Sequence, residues 1–85
     1  MNSQHRAIRA ILQSMSPNRA EETIRAFRLP EEEELFLLEI DVRGLSYVQA
    51  AERFHTSPES IKRRRQRAYS KIVDTITYMK EERRD

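Results

Sequence analysis

The residues best suited to chemistry in this chain are cations concentrated in one short segment, residues 57–71. The segment holds six lysines and arginines against one glutamate, whereas the whole 85-residue chain has a net charge of only +2. Clustered cations raise the local concentration of an anionic partner, so this pattern favours binding of a polyanion. The alternative that stays open is a solvated basic face without a ligand. The six cations are Lys62, Arg63, Arg64, Arg65, Arg67 and Lys71.

Two other groups of residues could carry chemistry, but their spacing predicts no site. Glu31 to Glu34 are consecutive, and consecutive side chains on a helix point in different directions, so they cannot converge on one metal ion. At the start of a helix they stabilise the positive end of its dipole, which predicts a solvated acidic turn. His5 and His55 are the only histidines, and no third ligand accompanies them. We therefore predict no catalytic residues, no metal site and no cofactor, and we do not expect an enzyme.

Length and composition argue against a multidomain, disulfide-linked, membrane-spanning or secreted protein. Eighty-five residues make one small domain, and the absence of cysteine excludes disulfides and thiolate metal sites. No apolar run approaches the ~20 residues that span a bilayer, and the first residues lack the apolar region of a signal peptide. We expect a cytoplasmic protein with no membrane partner.

Helical periodicity dominates the chain and predicts an all-α fold of about five helices. Residues 1–28 are predicted to form an N-terminal helical hairpin, with helices at about 3–15 and 19–28 and with Asn18 as the N-cap of the second. This hairpin would complete the core or serve oligomerisation. Residues 29–85 would then form a second domain, which ends in an extended last helix.

Turn and cap signals divide this second part. A third helix starts at Leu29-Pro30 and is apolar over a wide arc up to Val42, so we expect it to be the central core element. Gly44 is predicted to end that helix in the left-handed conformation. Ser46, with Gln49 as its capping-box partner, would start a short helix at about 47–54.

The last helix has two agreeing start signals. Ser57 is predicted as its N-cap and Pro58 as its first helical residue, after a turn in which His55 takes the left-handed position. The helix would run to about Arg83 with an apolar stripe, and its part beyond Ile72 would pack on the N-terminal hairpin or on a second copy of the chain.

Two helices joined by a tight turn, the second of them basic, form a helix-turn-helix whose second helix can enter a DNA major groove. Its first turns would read bases, with Glu59 accepting from cytosine and Arg63 making a bidentate contact to guanine. Other side chains and the helix N-terminus would hold phosphates. The predicted base-facing residues are Pro58, Glu59, Lys62 and Arg63. The predicted backbone contacts are Ser46, Tyr47, Gln49, Ser57, Arg64, Arg67 and Lys71.

These motifs resemble region 4 of bacterial sigma factors and, slightly less well, the LuxR-type DNA-binding domain. The likeness covers about 45 of the 85 residues without a gap, and small phage- and prophage-encoded regulators look similar. It rests on Leu29-Pro30-Glu31, Gly44-Leu45-Ser46-Tyr47, Ala51-Glu52, Ser57-Pro58, Ile61-Lys62 and Arg67-Ala68. The resemblance implies a four-helix DNA-binding domain that contacts the upstream promoter element and the flap of RNA polymerase.

The chain also departs from the family pattern. His55 and Thr56 replace a glycine and an aliphatic residue, Ala50 replaces a larger aliphatic, and Arg65 lies where an apolar residue is common. The segment Glu39-Ile40-Asp41 has an unusual phase. We therefore expect a locally repacked turn and core. No segment resembles the promoter-melting part of a sigma factor, so we do not expect a complete sigma factor.

The sequence thus predicts a sequence-specific DNA-binding transcriptional regulator, of phage or mobile-element origin, with double-stranded DNA as its partner. Two alternatives stay open. One is an adaptor or inhibitor that binds RNA polymerase, and the other is a phage DNA-packaging subunit similar to a small terminase. The oligomeric state also stays open, from a monomer or homodimer for a regulator to a ring for a packaging protein.

Overall fold

The computed structural model describes the backbone of residues 3–82 and the side chains of residues 3–80. Every regular element in this part of the chain is helical, which confirms the predicted all-α class. None of its helices is both long enough and apolar enough to cross a membrane. The elements are α1 (Ser3–Gln13), α2 (Pro17–Ala26), α3 (Glu31–Leu37), a π-helical segment (Leu38–Val42), α4 (Tyr47–Arg53) and α5 (Pro58–Glu82).

The central helix changes geometry halfway, where a single α-helix was expected. α3 runs directly into the π-helical segment, and the Arg43 N–H donates to the Leu38 carbonyl, five residues back, at 3.1 Å. The wider turn shifts the helical phase, and Glu39 becomes fully buried with its carboxylate between Arg43 and Arg53. Apolar periodicity could not reveal this change, because the preceding residues are apolar on all sides.

The core consists of two clusters of buried side chains, and α5 contributes to both. The larger cluster joins α1, α2, the central helix and α5, and the smaller one joins α3, α4 and the start of α5. The N-terminal helices therefore pack into the same core as the helix-turn-helix. The larger cluster contains Ile8, Leu12, Ala20, Ile24, Leu37, Leu38, Ala68, Tyr69 and Ile72. The smaller cluster contains Phe36, Ala50, Ala51 and Ile61.

The start of α2 differs from the prediction. Ser16, not Asn18, is the N-cap, and its Oγ accepts a hydrogen bond from the N–H of Arg19 at 3.4 Å. Pro17 occupies the first helical turn, where its fixed φ and missing N–H are tolerated. The same Ser-Pro pair starts α5 at Ser57–Pro58, as predicted there. The prediction of Asn18 as the N-cap was wrong, because the pair Ser16–Pro17 starts the helix two residues earlier.

The turns around α4 confirm the cap predictions. Gly44 has a φ of 77°, and both hydrogen bonds of the capping box between Ser46 and Gln49 are present. His55 takes the left-handed position with a φ of 55°. Arg28, after α2, adopts a similar φ of 51°, which the sequence did not predict.

The end of α5 extends beyond the core. Beyond Ile72, Val73 packs against the larger core cluster, to which α1 and α2 contribute, so the expected contact with the N-terminal helices holds for the first residue of this part. Further along, Ile76, Tyr78 and Met79 are exposed. The molecule measures 47 × 24 × 23 Å, which reflects this projecting helix.

Candidate nucleic-acid interface

One face of α5 points away from the core and carries cations. We call it the outward face and define it by five exposed residues. Its three cations make no ion pair among the residues that the structure describes, whose ion pairs lie elsewhere. These charges are thus available to an anionic partner. The outward face comprises Glu59, Lys62, Arg63, Gln66 and Arg67.

The start of α5 is organised by its cap. Ser57 is exposed, and its Oγ accepts the N–H of Ser60 at 3.1 Å. Pro58 is half-buried and supplies no N–H. The cap fixes where the helix begins, and it thereby sets the phase that places Glu59, Lys62 and Arg63 on the exposed side.

The start of α4 lies beside this face. Ser46 and Gln49 are exposed and bond to each other, with the Gln49 N–H donating to Ser46 Oγ at 3.1 Å. Tyr47 lines the same cleft as Lys62, and its ring packs against the smaller core cluster. The Tyr47 hydroxyl accepts a hydrogen bond from Arg65 at 2.6 Å. This hydroxyl is therefore held in place by the protein before any ligand arrives.

Two of the predicted phosphate contacts already have partners within the protein. Arg64 pairs with Glu32 at 2.5 Å, and Lys71 pairs with Glu33 at 2.6 Å. Both cations therefore lie on the side of α5 that faces α3, not on the outward face. A contact with DNA would require each of them to exchange a carboxylate for a phosphate.

The sequence predicted that the acidic turn of α3 is a solvated face. The structure shows that part of this turn is buried or ion-paired instead. Glu33 is buried, with 7% of its surface exposed, and Glu34 pairs with Arg25 of α2 at 3.3 Å. The prediction was wrong for Glu33 because α3 packs on α5, where Glu33 pairs with Lys71 of the basic helix. Among the described residues, no cluster of three or more potential ligand side chains is arranged to hold a metal ion.

Arg65 is the one cation of the basic run whose side chain is buried in the core. It is 6% exposed, and its guanidinium makes a bidentate pair with Asp41 of the π-helical segment at 2.7 and 2.9 Å. It also donates to the hydroxyls of Tyr47 and Tyr69 at 2.6 and 2.8 Å. The Tyr69 hydroxyl in turn donates to Asp41 at 2.6 Å. Arg65 therefore ties α5 to the central helix and to the start of α4.

The ionisation of this cluster follows from its burial. Burial disfavours the charged guanidinium, but hydrogen bonds and the charge of Asp41 outweigh it and raise the pKa of Arg65. Burial, and then the hydrogen bond to Asp41, raise the pKa of the Tyr69 phenol well above its ordinary value. Arg65 thus stays cationic and Tyr69 stays neutral over the physiological range. A sequence signal existed, because Arg65 lies four residues after Ile61 and four before Tyr69, on the apolar stripe.

The outward face continues into a cleft between α1, α4 and α5, with a volume of about 740 Å³. From α1, His5 and Arg9 line it, and sequence reasoning assigned neither of them to the interface. His5 Nε2 lies 3.2 Å from Ser70 Oγ, and its ring lies 5.5 Å from that of Tyr69. No local pattern in α1 could have indicated this, since residues 5 and 70 are brought together only by tertiary packing.

Comparison with protein families identifies the helix-turn-helix part of the chain. A family model described as Sigma-70, region 4 matches residues 28–72, which include α3, the π-helical segment, α4 and the first part of α5. Helices α1 and α2 precede the matched segment. Comparisons with curated proteins and with solved structures find no significant match.

Proposed function

The chain belongs to the sigma-70 region 4 family, and we propose that it is a sequence-specific DNA-binding transcriptional regulator that reads the major groove with α5. A helix-turn-helix domain of this family is a DNA-binding regulatory module that also interacts with RNA polymerase. A regulator of this kind would act in the cytoplasm, where promoter DNA and polymerase are found.

The outward face of α5 carries the proposal. Lys62, Arg63 and Arg67 are exposed, they are directed to one side of a helix whose start is fixed by a cap, and they are outside the ion pairs of the described residues. These cations can bind a ligand without first breaking an ion pair. DNA offers each of them a phosphate or a base edge.

Position along the helix divides the proposed roles. Residues of the first two turns, Pro58, Glu59, Lys62 and Arg63, would face the groove floor, where Arg63 matches the O6 and N7 acceptors of guanine and Glu59 the amino group of cytosine. Arg67, one turn further, would bind a phosphate. Lateral contacts would add to the affinity but carry no sequence information. The proposed lateral contacts are Ser46, Tyr47, Gln49 and Ser57.

Arg64 and Lys71 would play a secondary part. Their present carboxylate partners, Glu32 and Glu33, must be given up before a phosphate can bind, so part of the gain on binding DNA is lost in breaking these pairs. We propose that Arg64 and Lys71 contribute less to affinity than Lys62, Arg63 and Arg67.

Selection of bound duplexes from a random pool tests sequence specificity directly. We expect one motif to be enriched, and a symmetric motif would indicate a dimer. We also expect a triple change of Lys62, Arg63 and Arg67 to alanine to abolish binding of the enriched duplex in a gel-shift titration. The control removes the same number of charges elsewhere, at Arg6, Arg19 and Lys80, all of them exposed. Equal affinity of the two triple variants would contradict the proposal.

A second candidate, a polymerase-binding adaptor, is favoured by the exposed apolar residues near the end of α5. Ile76, Tyr78 and Met79 are 37%, 62% and 49% exposed, which suits a protein partner better than DNA. Co-purification with core RNA polymerase, together with a random pool in which no sequence is enriched, would support this role. A ring of eight or more subunits by light scattering would instead favour a packaging subunit.

A further inference from the structure

We propose that α1, which precedes the family-matched segment, extends the DNA interface, with His5 and Arg9 contacting the sugar-phosphate backbone at one edge of the major groove that α5 enters. This inference rests on the proposed function. It adds a second binding element on a different helix. It also gives the N-terminal region a role besides completing the core.

The position of α1 is fixed by the core. Ile8 and Leu12 are buried in the same cluster as Ile72 of α5. On the adjacent side of α1, His5 Nε2 approaches Ser70 Oγ to 3.2 Å. Since apolar packing holds α1 beside α5, the backbone of α1 needs no further ordering before its polar side chains contact a ligand.

The charge of the cleft suits an anion. Lys62, Arg63 and Arg67 of α5, which are outside the ion pairs of the described residues, line it together with Arg9 of α1, and Asp74 is the acid of its lining. Lys71 lines it too but pairs with Glu33. Arg65 also lines the cleft, but its charge is compensated by Asp41. The cleft therefore presents a surplus of positive charge, and it is continuous with the outward face because the same α5 cations border both.

Helix geometry places the cleft at the right distance for a phosphate. Lys62 and Ser70 are eight residues apart, which corresponds to about 12 Å along a helix that rises ~1.5 Å per residue. The major groove is about 12 Å wide and about 8.5 Å deep, so the top of its wall lies on the order of 10 Å from the middle of its floor. When Lys62 and Arg63 lie at the groove floor, Ser70 and the adjoining side chains of α1 reach the groove wall, where the sugar-phosphate backbone runs.

A duplex partner explains these observations together. A rigid double helix can contact the outward face and the cleft at once. The outward face would lie in the major groove, and the cleft would lie against the sugar-phosphate backbone at the edge of that groove. The contacts of α1 would be to phosphates, so they should add affinity for every sequence equally and add to the salt dependence.

The primary test compares two arginines of α1. Arg9→Gln removes a cation that lines the cleft, and Arg6→Gln removes an exposed cation of the same helix that does not line it. We expect Arg9→Gln to weaken binding about threefold to tenfold on both the selected duplex and a random duplex, measured by fluorescence anisotropy. The slope of log affinity against log salt should become shallower by about 0.9, which corresponds to one phosphate contact. Arg6→Gln should change neither quantity by a comparable amount.

A second pair of variants guards against a folding defect in α1. Ser70→Glu introduces a carboxylate beside His5 in the cleft, and Thr77→Glu adds the same charge about 10 Å further along α5. Both positions are exposed, so both variants should fold, as circular dichroism would verify. We expect Ser70→Glu to weaken binding to both duplexes at least as much as Arg9→Gln does, and Thr77→Glu to weaken it less.

The outcomes separate the two proposals. If the wild-type protein binds DNA but each variant binds it with the same affinity as its control, the contribution of α1 is refuted. The proposal that α5 reads the major groove is then unaffected. If the wild-type protein binds neither duplex, both proposals are overturned. If Arg9→Gln weakens only the selected duplex, the contact is to a base, and the inferred backbone contact is wrong.

Discussion

Arg63, Arg64 and Arg65 are consecutive in the chain, yet they lie in three different environments. Arg63 is exposed on the outward face, outside the ion pairs of the described residues, whereas Arg65 is buried with 6% of its surface exposed and is paired with Asp41. Arg64 is intermediate in exposure, since its side chain is 34% exposed, and it is paired with Glu32. The side chains differ only in the direction in which successive helical positions point, about 100° apart.

This difference separates binding from folding within one basic run. An exposed cation costs little to keep unpaired in water and can be used by a ligand. A buried guanidinium must be paired and hydrogen-bonded, and it then fixes the elements that it joins. Here Arg65 holds the position of α5 relative to Tyr47 at the start of α4. The buried arginine thereby orients the helix on which the exposed arginines are presented.

The largest expected effect comes from removing the partner of the buried arginine. Asp41→Ala leaves the Arg65 guanidinium buried without its carboxylate, and we expect a loss of about 3–5 kcal/mol in the free energy of unfolding. Small domains are stable by only about 5–15 kcal/mol, so this variant should be close to unfolded. Urea denaturation followed by circular dichroism measures the change.

The matched control removes the partner of the neighbouring arginine. Glu32→Ala breaks the more exposed pair with Arg64, and we expect a change of no more than about 1 kcal/mol. Similar losses for Asp41→Ala and Glu32→Ala would show that the contrast between the two arginines has no energetic basis.

A second prediction concerns the exposed side of the helix. Arg63→Ala should reduce the free energy of DNA binding by about 1–3 kcal/mol and relax specificity at one base pair, because a bidentate contact to guanine is lost. Arg67→Ala should weaken binding to all duplexes alike. Anisotropy titrations against the selected duplex and its single-base variants distinguish the two. An Arg63→Ala variant with unchanged discrimination would exclude base reading by this residue.

The buried cluster should also respond to alkaline pH. The pKa of Tyr69 is raised by burial and by its bond to Asp41, so the folded protein holds this proton more tightly than the unfolded chain does. That contribution to stability is complete below the unfolded pKa of about 10 and is lost as the pH rises above it. We expect the free energy of unfolding to fall by about 1 kcal/mol between pH 9 and pH 11 on this account.

Two tyrosine variants identify the source of that loss. Tyr69→Phe should be less stable at pH 9 but should lack this part of the decrease. Tyr78→Phe, at an exposed position, should retain it. The same decrease in both variants would assign the alkaline loss to other groups.

The smallest predicted effect concerns the intermediate arginine. Glu32→Gln should release Arg64 from its pair and strengthen DNA binding up to about fivefold, since exposed ion pairs are worth about 0–1 kcal/mol. Glu22→Gln, at an exposed position of α2, makes the same change of charge away from α5. If both variants strengthened binding equally, net charge and not release of Arg64 would be the cause.

Much of the site could be read from the sequence because its signals are local. The Ser57–Pro58 start, the capping box at Ser46 and the left-handed positions Gly44 and His55 depend on residues within a few positions of one another, and the structure has all of them. The division of charge along the chain is a property of the sequence itself. Together these signals specified a helix-turn-helix with a basic second helix.

The tertiary structure decided what the individual charges do. The π-helical turn rotates Asp41 towards α5, the packing of α3 on α5 brings Glu32 to Arg64, and the burial of α1 places His5 at Ser70. Each of these pairs joins residues more than 20 positions apart, so no local pattern encodes them. In sequence, the three adjacent arginines differ only in that Arg65 lies on the apolar stripe of α5. Only the elements packed around α5 make one of them part of the core, one an ion-pair partner, and one available to a ligand.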